Sequence, residues 1–344
     1  MMLYALLISI CVQPAQSPQP TPSAQPPLKV VAGNDIVADL VRAIGAEQVD
    51  LTRVGQAGGD PHHCEPTPAD AKRIESAEVV FEFGLGLDRP IGVLHRSTGS
   101  RATLVVVATG LGLPRRLSSA PSGHDHAGHD HAGHDHADHD HACHDHTDET
   151  GTAVDPHIWH DPSKVRILNE RICAALVAAR PSSAQSFTAR SRDLDTKLAE
   201  LDQWIKTQVE LIAKPRRVLV TTHDGLRAFG ERYGFEVIGV EMMGAEVDPA
   251  PKKIIAMVHA IQATKSPVVF GDAAHPSRIA ATVAREAKVR LVETLHLDSL
   301  LQPPTVRLGE GYIATMRSNV GVIVEALKVE ALKVEAHKVE AHKE

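Results

Sequence analysis

The chain has 344 residues, 43% of them hydrophobic, 23% charged and only 3% aromatic, which allows two ordinary α/β domains with cores built chiefly of Leu, Val, Ile and Ala. Such a composition excludes a disordered or fibrous whole. The formal net charge of −7 comes without any basic stripe and argues against nucleic acid as a partner.

Residues 1–12 form a mostly apolar run, shorter than the roughly 20 residues that cross a bilayer, and a Gln-, Pro- and Ser-rich stretch follows to residue 27. Together, residues 1–27 read as an export signal and linker, which implies a periplasmic or otherwise extracytoplasmic protein. No Lys or Arg precedes the apolar run, a departure from the usual signal. Cys11 ends the run and raises the alternative of a lipid anchor. Bulky Ile10 stands where such signals want a small residue, so plain cleavage is the expectation. Of Cys11, Cys64, Cys143 and Cys173, no two show CxxC spacing, and no disulfide framework is readable. An oxidising compartment would permit a bridge between Cys64 and Cys173, but nothing in the sequence brings them together.

From residue 28 the periodicity predicts a strand over 28–32, a helix over 35–44 and a strand over 49–54, followed by a helix over 67–76 and strands over 78–82 and 102–108. This wiring makes residues 28–181 an N-terminal lobe with a parallel sheet and covering helices. Residues 123–146 interrupt it with repeated HDHAG-type units and almost nothing apolar to bury, which predicts a mobile loop. A helix over 163–179 follows. Residues 182–213 carry a long apolar periodicity suited to a helix that connects two lobes. Strands over 217–222, 235–240, 267–270 and 289–294, with helices over 251–264 and 276–287, build a second lobe over 214–327. The fold class is therefore α/β, with two similar βα lobes, each around a parallel sheet, and one long helix between them.

Residues 328–344 hold most of a VEALK, VEALK, VEAHK, VEAHK repeat of strong helix-forming composition. Its period of five matches neither 3.6 nor 3.5, so the apolar side chains wander around the axis, and a solvent-exposed, frayed tail is expected. His337 and His342 read as solvated.

Two segments share a phrase: DPHHCEP at residues 60–66 and DPHIWHDP at residues 155–162. Proline restrains itself and the residue before it, so His62 and His157 sit on stiff loop ends where an imidazole is aimed at little entropic cost. An ordinary turn before a helix remains the alternative for either copy. His223, in LVTTHDG, follows an apolar strand at the place where open α/β sheets bind ligands, although a helix-start role for its neighbours is equally open. Asp298, in LHLDSL, is the weakest single signal and taken alone reads as a helix-start residue rather than a ligand. Taken together, the four fall two to a lobe, each after a strand. A cleft between the lobes would gather three imidazoles and one carboxylate, a set that suits tetrahedral zinc and disfavours the oxygen shells of calcium and magnesium. Manganese ranks below zinc for such donors.

At these phrases (GGDPHHCEPTPAD, DPHIWHDP, VLVTTHDGLRAFGERYG, ETLHLDSL, and the histidine-rich insertion) the chain resembles the ZnuA/TroA-type zinc and manganese solute-binding proteins of ABC transporters over about residues 28–327. The resemblance implies two lobes joined by a single long helix over 182–213, a metal ion held between them, and delivery to a membrane permease driven by an ATPase. A monomer is expected. It places the ligands at His62, His157, His223 and Asp298, with His223 marking the zinc type, since manganese-selective members tend to have Glu there. Three departures stand out: Cys64 replaces an aromatic residue, His63 precedes it, and His160 replaces an apolar residue. His63 and His160 are expected in a supporting or surface role, because neighbouring side chains on an extended segment point oppositely. Asp60, Asp155 and Asp224 flank the ligands and either orient an imidazole through its second nitrogen or serve as turn-formers.

The expected mechanism is reversible capture, weakening as pH falls through the free histidine pKa of ~6.5. Within the insertion, His124, His126, His129, His131, His134, His136, His139, His141, His144 and His146 either collect zinc weakly or do nothing beyond solvation. The rivals are a manganese-binding homologue, a periplasmic zinc buffer or chaperone, and a zinc hydrolase with Glu65 as its base.

Overall fold

The computed structural model describes residues 25–55, 61–63, 65–114, 154–239, 251–264 and 266–341. The signal with Cys11, Asp60, Cys64 and the histidine-rich tract over residues 123–146 lie outside the described residues.

The first lobe begins with β1 (Leu28–Ala32), α1 (Asp35–Gly45), β2 (Val49–Arg53), α2 (Pro68–Ser76), β3 (Val79–Glu82), α3 (Arg89–Ser97) and β4 (Thr103–Val106). Its strands pair in parallel in the order β2-β1-β3-β4. The two central strands, β1 and β3, are mostly buried, which is why they read as apolar runs. Local chemistry sets where the helices start. Asn34 caps α1 by accepting the Val37 N–H at 3.0 Å. In α2, Thr67 and Asp70 form a reciprocal capping box, with Pro68 in the first turn. A short antiparallel pair, β5 (Leu113–Pro114) with β6 (Val154–Asp155), then leads into the loop that carries His157. The two flanks of the histidine-rich insertion are thus held side by side, close to His157 in sequence.

Next come α4 (Pro162–Ala179) and α5 (Ala184–Glu210), packed as an antiparallel pair. Phe187, Leu194, Leu198, Leu201, Ile205 and Val209 bury one stripe of α5 at helical spacing, and at 27 residues the helix is about 40 Å long. Asn169 and Ser191 bond reciprocally across the pair, Nδ2 to the Ser191 carbonyl at 3.0 Å and Ser191 Oγ to Asn169 Oδ1 at 3.2 Å.

The second lobe has β7 (Val218–Thr221), α6 (Arg227–Tyr233), β8 (Glu236–Gly239), α7 (Pro251–Thr264), β9 (Val268–Asp272), α8 (Arg278–Ala287) and β10 (Arg290–Leu295). Its parallel sheet has the order β10-β9-β7-β8, so each lobe holds four parallel strands. No described helix is long and apolar enough to cross a membrane.

The last helix, α9 (Gly311–Ala341), begins well before the repeats that signal helix in the sequence and runs on through them. It packs on α5, α1 and β10, so it ties the second lobe to the first alongside α5. Asp39 of α1 accepts the Gly311 and Tyr312 backbone N–H groups at 3.1 and 2.9 Å, capping α9 from the opposite lobe. One continuous core therefore runs from the first sheet through α5 and α9 to the second.

Candidate metal centre

Three of the four candidate ligands lie beyond the C-terminal ends of strands of the two parallel sheets, and His157 lies beyond the short β5–β6 pair. His62 lies in a short 3-10 turn, Pro61–His63, beyond β2, and His157 opens a second such turn, Ile158–His160, directly after β6. His223 follows β7 and Asp298 follows β10. The structure brings His62, His157 and Asp298 into one cluster of ligand atoms, and His223 meets it at the second Asp298 oxygen. His62 Nε2 and His157 Nε2 are 3.0 Å apart. Asp298 Oδ1 lies 3.5 Å from His62 Nε2 and 3.3 Å from His157 Nε2, and Asp298 Oδ2 lies 3.1 Å from His223 Nε2.

His157 and Asp298 are buried, and His62 and His223 nearly so, with side chains 15% exposed. Among the described residues, His223 Nδ1, His223 Nε2 and Asp298 Oδ1 are buried without a properly aligned hydrogen-bond partner, although other polar atoms crowd them. Burying such atoms costs free energy unless something else satisfies them.

His157 is oriented from behind. Asp155 Oδ1 accepts its backbone N–H at 2.9 Å and stands 2.7 Å from its Nδ1, which leaves Nε2 turned towards the other candidates. Burial by itself would depress the His157 pKa, but Asp155 and Asp298 outweigh it and lift it to about 10. Burial would raise Asp298, yet the surrounding His223, His157 and His62 hold it well below the usual carboxylate range. Asp224 does not orient His223: neither His223 ring nitrogen has a hydrogen bond among the described residues. The reason is local, since a tight turn with Gly225 N donating to the His223 carbonyl at 2.9 Å seats Asp224 against Gly239 instead. Burial and the neighbouring Asp155 charge push the Asp224 carboxyl up.

The loop carrying Asp298 is held from both lobes. Asn319 of α9 accepts the His296 N–H at 2.9 Å and donates to its carbonyl at 2.7 Å, while Thr315 Oγ1 accepts the Leu301 N–H. From the first lobe, Trp159 Nε1 and His160 Nε2 both reach the Leu297 carbonyl, at 3.0 and 2.9 Å. His160 is 2% exposed, so it is a buried inter-lobe contact and not a surface residue. The extended-chain expectation fails because residues 158–160 form a 3-10 turn, in which positions three apart come onto one side. Burial, with the nearby His157 charge, lowers the His160 pKa to about 4.

Gly225 is a site residue that the sequence phrases do not single out. A Cβ there would stand 2.6 Å from His223 Nε2, closer than real Cβ contacts allow. Gly225→Ala is therefore expected to displace the His223 ring and weaken metal binding at least about tenfold, the scale found when ligand orientation is disturbed. A competition titration reads this directly, and unchanged affinity would show that His223 takes no part.

The profile of the family described as zinc-uptake complex component A, periplasmic, matches residues 30–326. A manganese-binding lipoprotein, MntA, of Halalkalibacterium halodurans is 26% identical over 300 residues, covering 87% of this chain and 88% of its own. The iron ABC transporter substrate-binding lipoprotein MtsA of Streptococcus pyogenes is 24% identical over 302 residues, covering 87% and 89%. Among solved structures, the periplasmic zinc-binding protein TroA of Treponema pallidum has the same fold, with a TM-score of 0.70 at 22% identity over 88% of this chain and 99% of its own. With its profile spanning both lobes and the connecting helix, the chain belongs to the zinc-uptake complex component A family.

Proposed function

We propose that this chain is the extracytoplasmic receptor of a zinc importer, capturing Zn²⁺ with His62, His157, His223 and Asp298 and passing it to an ABC permease and its ATPase. The observation that carries the reading is the spacing of the donors. Four ligands at ~2.0–2.1 Å from one tetrahedral ion stand ~3.3–3.4 Å from one another. His62 Nε2, His157 Nε2 and Asp298 Oδ1 stand 3.0 to 3.5 Å from one another, while His223 Nε2 stands 3.1 Å from the other Asp298 oxygen and outside that mutual cluster, so a small movement of its ring would complete the set. Family membership and relatives named as transporter substrate-binding proteins support a receptor over an enzyme, and Glu65, the candidate base of a hydrolase, is exposed.

Manganese is the second reading. The relatives named for manganese favour it, and so does one feature of the site: both Asp298 oxygens face imidazoles, a posture open to a chelating carboxylate and a higher coordination number. Three imidazoles weigh towards zinc. Metal analysis of the mature protein with zinc–manganese competition, alongside His223→Ala, decides between them. The expected result is one tight zinc ion, bound much more weakly in the variant. Many equal weak sites would point to a buffer based on the histidine-rich tract. As for location, the relatives' lipoprotein names favour a lipid at Cys11 while Ile10 opposes it, and the mass of the mature N-terminus tells which holds.

Proton linkage follows from His157. With its pKa lifted to about 10, the metal-free site holds a proton at neutral pH that the ion must expel. Binding at pH 7.5 should release at least one proton, and affinity should fall about tenfold per pH unit on acidification. Calorimetry in two buffers of different ionisation enthalpy counts the proton; equal affinities at pH 7.5 and 5.5 would refute imidazole ligation. The stability sign is opposite. The raised His157 pKa stabilises the metal-free fold fully below ~6.5 and progressively less as pH rises towards 10, so chelator-treated protein should melt lower at pH 9 than at pH 7.

A further inference from the structure

One buried polar contact joins the lobes without touching the ion-facing atoms. The Leu297 carbonyl oxygen accepts from Trp159 Nε1 at 3.0 Å and from His160 Nε2 at 2.9 Å. A carbonyl has only acceptor lone pairs, two of them, so His160 must carry its proton on Nε2, and both lone pairs are used by donors from the other lobe. The Leu297–Asp298 peptide is planar, and that plane contains Asp298 Cα, so holding the carbonyl oxygen holds the root of the Asp298 side chain. On the donor side, His160 ends the same 3-10 turn that His157 opens. The contact therefore links the backbone frame of a first-lobe imidazole to that of the second-lobe carboxylate, whose oxygen lies 3.3 Å from His157 Nε2.

The surroundings make this bond specific. Tyr312 Oη donates to the Trp159 carbonyl at 2.6 Å, Trp159 packs edge-on against Phe83, and Asn319 holds the His296 backbone. With those contacts intact, losing the His160 bond leaves the lobes joined but frees the Leu297–Asp298 peptide to rock about the remaining Trp159 bond.

We infer that His160 is a positioning residue for the metal site: its Nε2–H, donated to the Leu297 carbonyl, sets the Asp298 carboxylate at the spacing from His157 that a small divalent ion requires. This role presupposes the metal-capture function of the same cluster. His160 acts through Asp298 and not as a ligand: its Nε2 is engaged by the Leu297 carbonyl, and the cluster of close ligand atoms is made by His62, His157 and Asp298 without it.

The test uses the mature protein, stripped with chelator and titrated with Co²⁺ alone and with Zn²⁺ by competition. His160→Leu keeps the bulk and removes the donor. It is expected to weaken binding about tenfold and to shift the visible Co²⁺ bands, which report coordination geometry. His160→Gln, whose amide N–H can reach the same carbonyl, should restore most of both. Trp159→Phe removes the other donor while keeping an aromatic ring and should show the same shift; it decides the matter should His160→Leu fail to fold. Folded leucine or phenylalanine variants with wild-type affinity and spectrum would overturn the role, as would a glutamine variant no better than leucine. A lower melting temperature with unchanged metal binding would also overturn it, since that is the signature of a purely structural residue. A wild-type protein without a tight site would instead overturn the capture function on which the role rests.

Discussion

Asp298→Asn is expected to weaken zinc binding by about 100- to 1000-fold while leaving the protein folded. Structural zinc sites provide ~10–16 kcal/mol across four ligands, so one ligand is worth ~3–4 kcal/mol, and each 1.4 kcal/mol is a factor of ten. Asparagine matches the carboxylate in shape but removes the negative charge that all three imidazoles approach. The backbone that places residue 298 is held by the Leu297 carbonyl and by Asn319, and neither contact uses the carboxylate. Fewer protons should also be released on binding, because the variant loses one of the two acids that lift His157. Competition against a chelator of known affinity measures the first effect, and two-buffer calorimetry measures the second. An affinity within about threefold of wild type would show that Asp298 is not a ligand.

The second large effect concerns the frame. Asp39→Ala removes the acceptor for two backbone N–H groups at the start of α9, and both atoms are buried. Orphaned buried donors cost ~1–3 kcal/mol each, so a loss of about 2–4 kcal/mol and roughly 3–6 °C in melting temperature is expected. Burial raises the Asp39 pKa despite the opposing N–H bonds, so the acceptor atoms stabilise the helix start and the charge itself is a burden. Asp39→Asn, which keeps one acceptor and no charge, should therefore recover part of the loss. A melting temperature of Asp39→Ala within 1 °C of wild type would show that α9 does not depend on the first lobe for its start.

Several elements are legible in the sequence. Val-rich runs between Gly, Pro and Asn residues announce the parallel strands, and the uninterrupted periodicity after residue 182 announces α5. Other elements are not. α3 is short, opens with Pro90 in its first turn and contains Gly92, so its apolar pattern is too brief to stand out. The start of α9 at Gly311 is hidden because its N-terminal N–H groups are satisfied by Asp39, 272 positions away, and not by a local cap. Among the candidate site residues, Asp155 and Asp224 looked alike, each an acid beside a histidine. Asp155 bonds His157 because Pro156 and the 3-10 turn fold the two side chains together, whereas the turn at Gly225 seats Asp224 elsewhere.

By itself the sequence determined which chemistry was available: imidazoles and an acid on stiff loop ends after strands, in an order shared with one protein family. Local covalent constraint suffices for that, because proline, glycine and strand periodicity act over a few residues. Only the tertiary structure decided that donors of His62, His157 and Asp298 stand 3.0 to 3.5 Å apart with His223 3.1 Å from the second Asp298 oxygen, that His160 is buried against Leu297, and that α9 is capped from α1. Those distances depend on how two sheets are held by α5 and α9, and that arrangement comes from burial summed over the whole core, which no short stretch of sequence contains.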